Sequence, residues 1–174
     1  PLKITQESYQ KTHKPQMHPE SLCLNDLNFK NFKKEISNKI KKIQLSQHAD
    51  HVILKTPIEP KTVVKIINTS FPEVSIVGYG HSIEIFKQVG NPKDVVKKFK
   101  LDSFSGTHGI GHTRMATESA ITTDGSHPYS TGEDECLVHN GSLSNHNNLR
   151  RELIKKGKTF DSFNDTEVAA GYIS

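Results

Sequence analysis

Apolar residues recur three or four positions apart at Phe29, Phe32, Ile36, Ile40 and Ile43. That spacing places them on one face of a helix predicted over 26–43. Asn25 or Asp26 can cap its start, and Lys39, Lys41 and Lys42 suit the negative end of its dipole. His51–Lys55 is a short strand candidate, and Pro60 suits the first turn of a helix over 60–70 that buries Val63, Ile66 and Ile67. Val74-Ser75-Ile76-Val77 predicts a strand from its β-branched content, with Gly78-Tyr79-Gly80 as a turn. Ser82–Lys87 alternates apolar and polar positions, the pattern of a half-buried strand, so 74–87 predicts a hairpin. Pro92–Lys100 predicts a short helix that turns Val95, Val96 and Phe99 inward. Residues 51–105 therefore predict a small β-α-β-β-α module. Residues 1–24 are polar and carry Pro15 and Pro19, which predicts an irregular arm. The stretch 1–50 is thus an arm plus an amphipathic helix, with no assigned role.

From Gly106 the texture changes. Gly106, Gly109 and Gly111 surround His108 and His112, and a loop rich in Thr, Asp, Gly and Ser runs to Glu135. Cys136-Leu137-Val138-His139 predicts a short strand, followed by a sharp turn at Asn140-Gly141, where both residues tolerate positive φ. Asn145–Lys156 predicts a helix that buries Leu149, Leu153 and Ile154, with Gly157 closing it. Asn164-Asp165-Thr166-Glu167 reads as the cap of a last helix that runs to the end of the sequence.

Composition narrows the class. Leu, Ile, Val and Phe make up about a quarter of the 174 residues, above the roughly 20% below which chains stay disordered. No apolar run approaches the roughly 18 residues of a membrane span. Two cysteines, Cys23 and Cys136, exclude a disulfide-dense scaffold, and no secretory signal opens the chain; a cytoplasmic protein is expected. Residues 1–105 hold 17 Lys and no Arg against 10 acids, whereas 106–174 hold 3 Lys and 3 Arg against 9 acids. The lysines are scattered and no aromatic residues interleave with them, so a solvated face is favoured over a nucleic-acid surface.

Several short motifs carry chemistry. In Val138-His139-Asn140-Gly141 a side-chain amide adjoins a backbone N–H, and two donors aimed at one point make an oxyanion hole. The plain alternative is a hairpin turn. Arg114 at the end of a Gly-rich strand can hold a carboxylate bidentately, or it can be a surface ion pair. Asp165 can bind an ammonium group or simply open a helix. His108, His112, His127, His139 and His146 invite a metal reading, but glycines flank the His108–His112 pair and no acidic partner follows at metalloprotease spacing, so no metal is expected. Cys23 and Cys136 lie among apolar residues and are expected to be buried, inert thiols.

Taken in order, Gly111-His112-Thr113-Arg114-Met115-Ala116-Thr117, Ser126-His127-Pro128, Val138-His139-Asn140-Gly141, Asn145-x-x-x-Leu149-Arg150-x-x-Leu153, Gly157-x-x-Phe160 and Asp165-Thr166-Glu167-Val168 resemble the class II, N-terminal-nucleophile glutamine amidotransferase domain over 106–174. Met115 stands where many members have Trp, and Glu118-Ser119 where they have His-Gly. Thr113–Ala120 looks like the glutamate-synthase-like amidotransferase subunits, including the N-methylglutamate synthase type. Residues 74–105 are similar to the insert of that branch.

The resemblance implies an α+β fold, a four-layer α-β-β-α sandwich with antiparallel sheets, here partial and carrying a small α/β insert. It implies glutamine hydrolysis to glutamate, with ammonia delivered to a glutamate-synthase-like partner. FMN would belong only to that synthase subunit, and this domain would need no cofactor. The family's nucleophile is an N-terminal Cys within Cys-Gly-Ile, which is expected upstream of Pro1, so these residues alone would be inactive. Asn140 and Gly141 would form the oxyanion hole. Arg114 would hold the glutamine α-carboxylate and Asp165 its α-ammonium, while Thr117 and His127 would line the pocket. Two alternatives remain: a regulatory module that binds glutamine without cleaving it, and a metal-dependent hydrolase built on the histidines.

Overall fold

The computed structural model describes residues 18–24, 28–113 and 121–174. Its centre is a sheet of four antiparallel strands, β1 (His18–Cys23), β2 (Gln44–His48), β3 (His51–Thr56) and β4 (Ser75–Tyr79), in the order β2-β3-β1-β4. Two helices, α1 (Phe29–Lys39) and α2 (Pro60–Ser70), fall between β1 and β2 and between β3 and β4. This succession, β-α-β-β-α-β, is the ferredoxin-like split βαβ arrangement.

β1 corrects the expectation of an irregular arm for residues 18–24; residues 1–17 of that stretch lie outside the described residues. It lies inside the sheet, pairing Leu22 with Val52 of β3 and with Ile76 of β4. Its register to β4 shifts between Ser21 and Leu22. A strand starting Pro-Glu-Ser lacks the usual apolar run, yet Glu20, Ser21 and Leu22 are all fully buried. Side chains alternate across the sheet. Leu22, Val52 and Leu54 meet Phe32, Ile36 and Ile40 of the α1 region and Val63, Ile67 and Phe71 of the α2 region in one apolar core. Phe32 and Phe71 meet edge to face at 5.1 Å. Glu20, opposite Leu54 and Tyr79, takes the same face as Leu22. Neither of its carboxyl oxygens has a hydrogen-bond partner among the described residues. Burial pushes its pKa up to about 9.

The expected helix over 26–43 is shorter than its apolar spacing suggests. Asn28 caps it by accepting from the Lys30 N–H at 2.9 Å; Asn25 and Asp26 lie outside the described residues. Ile40 ends the helix, and Lys42 takes a left-handed φ of 57°, which releases the chain into β2. α2 begins with Pro60 at its first turn, as expected, and buries Val63 and Ile67.

The other sheet face is crossed by residues 82–87. The alternation predicts a strand here, but among the described residues the segment joins no sheet. The Ile85 N–H donates to Ser21 Oγ at 2.9 Å and the Lys87 N–H to His51 Nε2 at 3.3 Å. The alternation is real because the segment is extended, and Ile85 packs with Cys23 and Val77. Gly78 makes that crossing possible: a Cβ there would sit 2.6 Å from Ile85 Cδ1.

The third helix, α3 (Pro92–Phe99), is capped by Asn91 accepting from the Lys93 N–H. It buries Phe99, but Val96 points outward at 43% exposure, contrary to the sequence pattern. Phe86, Phe99, Phe104, His48 and His51 form an aromatic cluster beyond β3.

Residues 104–145 contain little regular structure among those described. The expected strand at 136–139 reduces to one antiparallel bridge between Tyr129 and Leu137. α4 (His146–Lys155) and α5 (Asp165–Ile173) then pack together. Leu153 is buried, but Ile154 is exposed, so the apolar stripe of α4 is narrower than predicted. Gly157, at φ +89°, follows α4, with Lys158 N–H on the Leu153 carbonyl. Gly171 of α5 lies against Phe160: a Cβ there would be 2.8 Å from Phe160 Cε1. Among the described residues, no helix is long and apolar enough to cross a membrane.

Candidate functional site at the start of the last helix

α5 begins because Asn164 accepts the Thr166 N–H at 2.8 Å, satisfying one of the donors that every helix start leaves open. The loop ahead of it is held from two sides. Arg150 of α4 donates to the carbonyls of Ser162 and Asn164, at 2.7 and 3.1 Å. Buried Glu167 accepts from the N–H groups of Asp161 and Ser162 and from Ser162 Oγ. The first turn of α5 is therefore fixed in place, and Asp165 and Thr166 project from it.

Asp165 reaches back to the chain after Asn140-Gly141. Its Oδ2 accepts the Leu143 N–H at 2.6 Å. Burial disfavours its charge, but the N–H groups of Leu143 and Thr166, with His139 and His146 nearby, outweigh this and hold its carboxyl below the usual range. His146 Nδ1 lies 3.0 Å from the Leu143 carbonyl oxygen, which ties α4 to the same turn. The His139 ring lies over Gly141, and a Cβ at 141 would come within 2.9 Å of His139 Nε2. Asn140 and Gly141 themselves are exposed.

Buried His127 approaches from the other side. Its Nε2 is 3.0 Å from Thr166 Oγ1. His112 stacks on it with ring centroids 4.1 Å apart, and Tyr129 meets it edge to face at 5.1 Å. The His127–Pro128 peptide is cis.

Of the residues singled out in the sequence, Asp165 and His127 meet the first turn of α5, His127 through Thr166, while Asn140 and Gly141 lie two to three residues before Leu143, which Asp165 contacts. Arg114 and Thr117 lie outside the described residues. Arg150, Thr166 and Glu167 stand in the motifs quoted for the resemblance, but the sequence assigned them no part in holding the first turn of α5; their side-chain contacts supply it. Cys23 is buried in β1, near Lys87. Burial pushes the Cys136 thiol up, whereas a reactive thiol is lowered by nearby positive charge.

A second polar cluster lies behind the site. Lys87 is buried, its Nζ 3.0 Å from the Asp124 carbonyl oxygen and 4.4 Å from the centre of the Tyr129 ring. Burial lowers its pKa, opposed by the carboxylates of Asp124, Glu167 and Asp161. Together with Ser75, Tyr129 and Ser130 these groups line a crevice between β4 and the α5 region.

Comparison with known proteins gives a consistent picture. The glutamine amidotransferase-like protein GlxB of Rhizobium meliloti is 68% identical over 103 residues, covering 59% of this chain and 34% of that protein. The glutamine–fructose-6-phosphate aminotransferase of Methanococcus maripaludis is 42% identical over 88 residues, 50% of this chain and 15% of that one. The enzyme of the same name from Pyrococcus horikoshii is 41% identical over 97 residues, 55% of this chain and 16% of that one. No solved structure matches the chain. The chain spans about a third or less of the length of these curated relatives. Residues 102–173, which contain the whole cluster around α5, match the glutamine amidotransferase domain.

Proposed function

We propose that this chain carries the glutamine-binding part of a class II amidotransferase, in which glutamine is hydrolysed to glutamate and the released ammonia is passed on. The observation that carries the reading is the Asp165 carboxylate, held ionised beside the turn that bears Asn140 and Gly141. A fixed negative charge suits an α-ammonium group, and a side-chain amide next to a backbone N–H suits a developing oxyanion.

In the mechanism that follows, a cysteine thiolate attacks the side-chain amide carbon of glutamine, with the α-amine of the same N-terminal residue as base. The Asn140 amide and the Gly141 N–H take the charge that forms on oxygen. Asp165 holds the substrate α-ammonium through the oxygen edge not engaged by Leu143, and Arg114 holds the α-carboxylate. Thr117 and His127 line the pocket, with Thr166 and stacked His112 fixing the His127 ring. Ammonia leaves, and water then hydrolyses the γ-glutamyl thioester.

The same reading gives the full-length protein a four-layer α-β-β-α sandwich of N-terminal-nucleophile type and a cytoplasmic setting. It makes the ammonia acceptor a glutamate-synthase-like subunit or domain that carries its own FMN. The test is glutamine-dependent glutamate release by the full-length protein. Asn140→Ala should lower kcat by about two to three orders of magnitude, as loss of one oxyanion donor does. Unchanged turnover would remove the oxyanion role. Saturable glutamine binding without any glutamate release by the unmodified protein would instead favour a regulatory module that only binds glutamine.

A further inference from the structure

We propose that Glu59, His81 and Glu133 form a binding site for a divalent transition-metal cation of the Zn2+ class, and that the ion clamps the ferredoxin-like sheet unit to the amidotransferase part. Among the described residues this is the one group of three such side chains whose ligand atoms all lie within 4.8 Å of one another. One imidazole nitrogen and two carboxylates are a donor set for a borderline cation, with a coordination position left for water. The inference is independent of the glutamine reading, because none of the three residues belongs to the cluster at α5.

Each ligand stands on backbone that is already fixed. Glu59 caps α2 by position, but its side chain makes no capping hydrogen bond, so its carboxylate is not spent on the helix. Glu133 bridges to Tyr79 at the end of β4, where the Asp134 N–H donates to the Tyr79 carbonyl at 3.0 Å. His81 is positioned by Asp134, whose carboxylate accepts the N–H groups of His81, Ser82 and Ile83 at 2.8–3.2 Å. Gly80 makes this wrap possible. It has φ +153°, and a Cβ there would clash with the Asp134 carboxylate and backbone. Asp134 itself takes a left-handed φ of 55°, a conformation that Asp tolerates better than most residues.

In the structure His81 Nε2 meets Glu133 Oε1 at 2.5 Å, and Lys61 Nζ lies 4.0 Å from the other Glu133 oxygen. The Lys61 side chain is 74% exposed, so it can swing into solvent when a cation takes its place. The ligands come from the start of α2, the end of β4 and the 133–134 loop. A bound ion would therefore join segments 22 and 52 residues apart in sequence.

The test uses the full-length protein freed of metal with a chelator and titrated with Zn2+ by calorimetry. One equivalent should bind and raise Tm. His81→Ala and Glu133→Gln should each weaken binding by about tenfold or more and abolish the rise in Tm, while circular dichroism reports that they fold. Co2+ substitution of the unmodified protein gives a measurement that needs no variant: the His81 ring protons should show paramagnetic shifts. Absence of saturable binding, binding that His81→Ala leaves intact, or Co2+ shifts confined to other histidines would overturn the proposal.

Discussion

Replacing Glu20 with Gln should make the protein more stable near neutral pH, against the usual direction of core substitutions. The Glu20 carboxyl is fully buried on the sheet face that carries Leu22 and Leu54, with no hydrogen-bond partner among the described residues. Its pKa stands near 9 in the folded chain against 4.5 for an unburied glutamate. Between these two values the folded state binds a proton that the unfolded state has released, so stability falls as pH rises through that window. Each unit corresponds to about 1.4 kcal/mol, so at pH 7 the 2.5 units above 4.5 remove about 3 kcal/mol. Gln has the shape of the protonated acid and does not titrate, so Glu20→Gln should recover roughly that amount at pH 7 and little near pH 4.5. Glu20→Met should do at least as well, since it adds apolar burial and no polar group. The assay is urea unfolding across mildly acidic to mildly alkaline pH. The wild-type midpoint should fall with pH, and the Gln variant's profile should be flatter. A wild-type midpoint that rises with pH, or a Gln variant less stable than wild type near neutrality, would show that Glu20 is charged and paired, and would refute the reasoning.

Other outcomes follow from the same geometry. Phe32→Ala removes a fully buried ring that meets Phe71 edge to face, and should lower stability by about 3–5 kcal/mol, measured by the same unfolding. Gly78→Val places a branched side chain where even a Cβ meets Ile85 at 2.6 Å; it should lower Tm, and Ile85→Ala in the same chain should restore part of the loss. Asp165→Asn removes the charge beside the 140–141 turn and should raise KM for glutamine far more than Asn at an exposed acid would. Because the Asp165 carboxyl is held below the usual range, its contribution to binding should persist into mild acid and fade only below the ordinary aspartate range, read from the pH profile of kcat/KM.

The parts of the fold legible in the sequence are those where local chemistry and burial agree. Pro60 and Pro92 mark the starts of α2 and α3, and Asn164 caps α5 where its Asn-Asp-Thr-Glu pattern predicts. β1 was illegible because a strand covered on both faces here carries Pro19, Glu20 and Ser21, whose partners lie more than 30 residues away in β3. Ser82–Lys87 misled in the opposite way. Alternation records extension and burial, and it is silent on whether the N–H groups meet a strand or the side chains of Ser21, His51 and Asp134. At the candidate site, Asn140-Gly141 and Asp165 were readable as motifs. The contact of Asp165 with Leu143 and the bracing by Arg150 and Glu167 were not, because those contacts join residues 5 to 22 apart with no periodic pattern.

The contact between Gly171 and Phe160 gives the protein a lever. Residue 171 lies six positions along α5 from Asp165, about 9 Å down the axis, where its neighbours are Phe160 and Leu153. A side chain there must displace either the Phe160 ring or the helix, and a tilt of the helix carries Asp165 at its other end with it. If Asp165 binds the α-ammonium group as proposed, exchanges at 171 or 160 would retune that contact while Asp165, Asn140 and Gly141 stay unchanged.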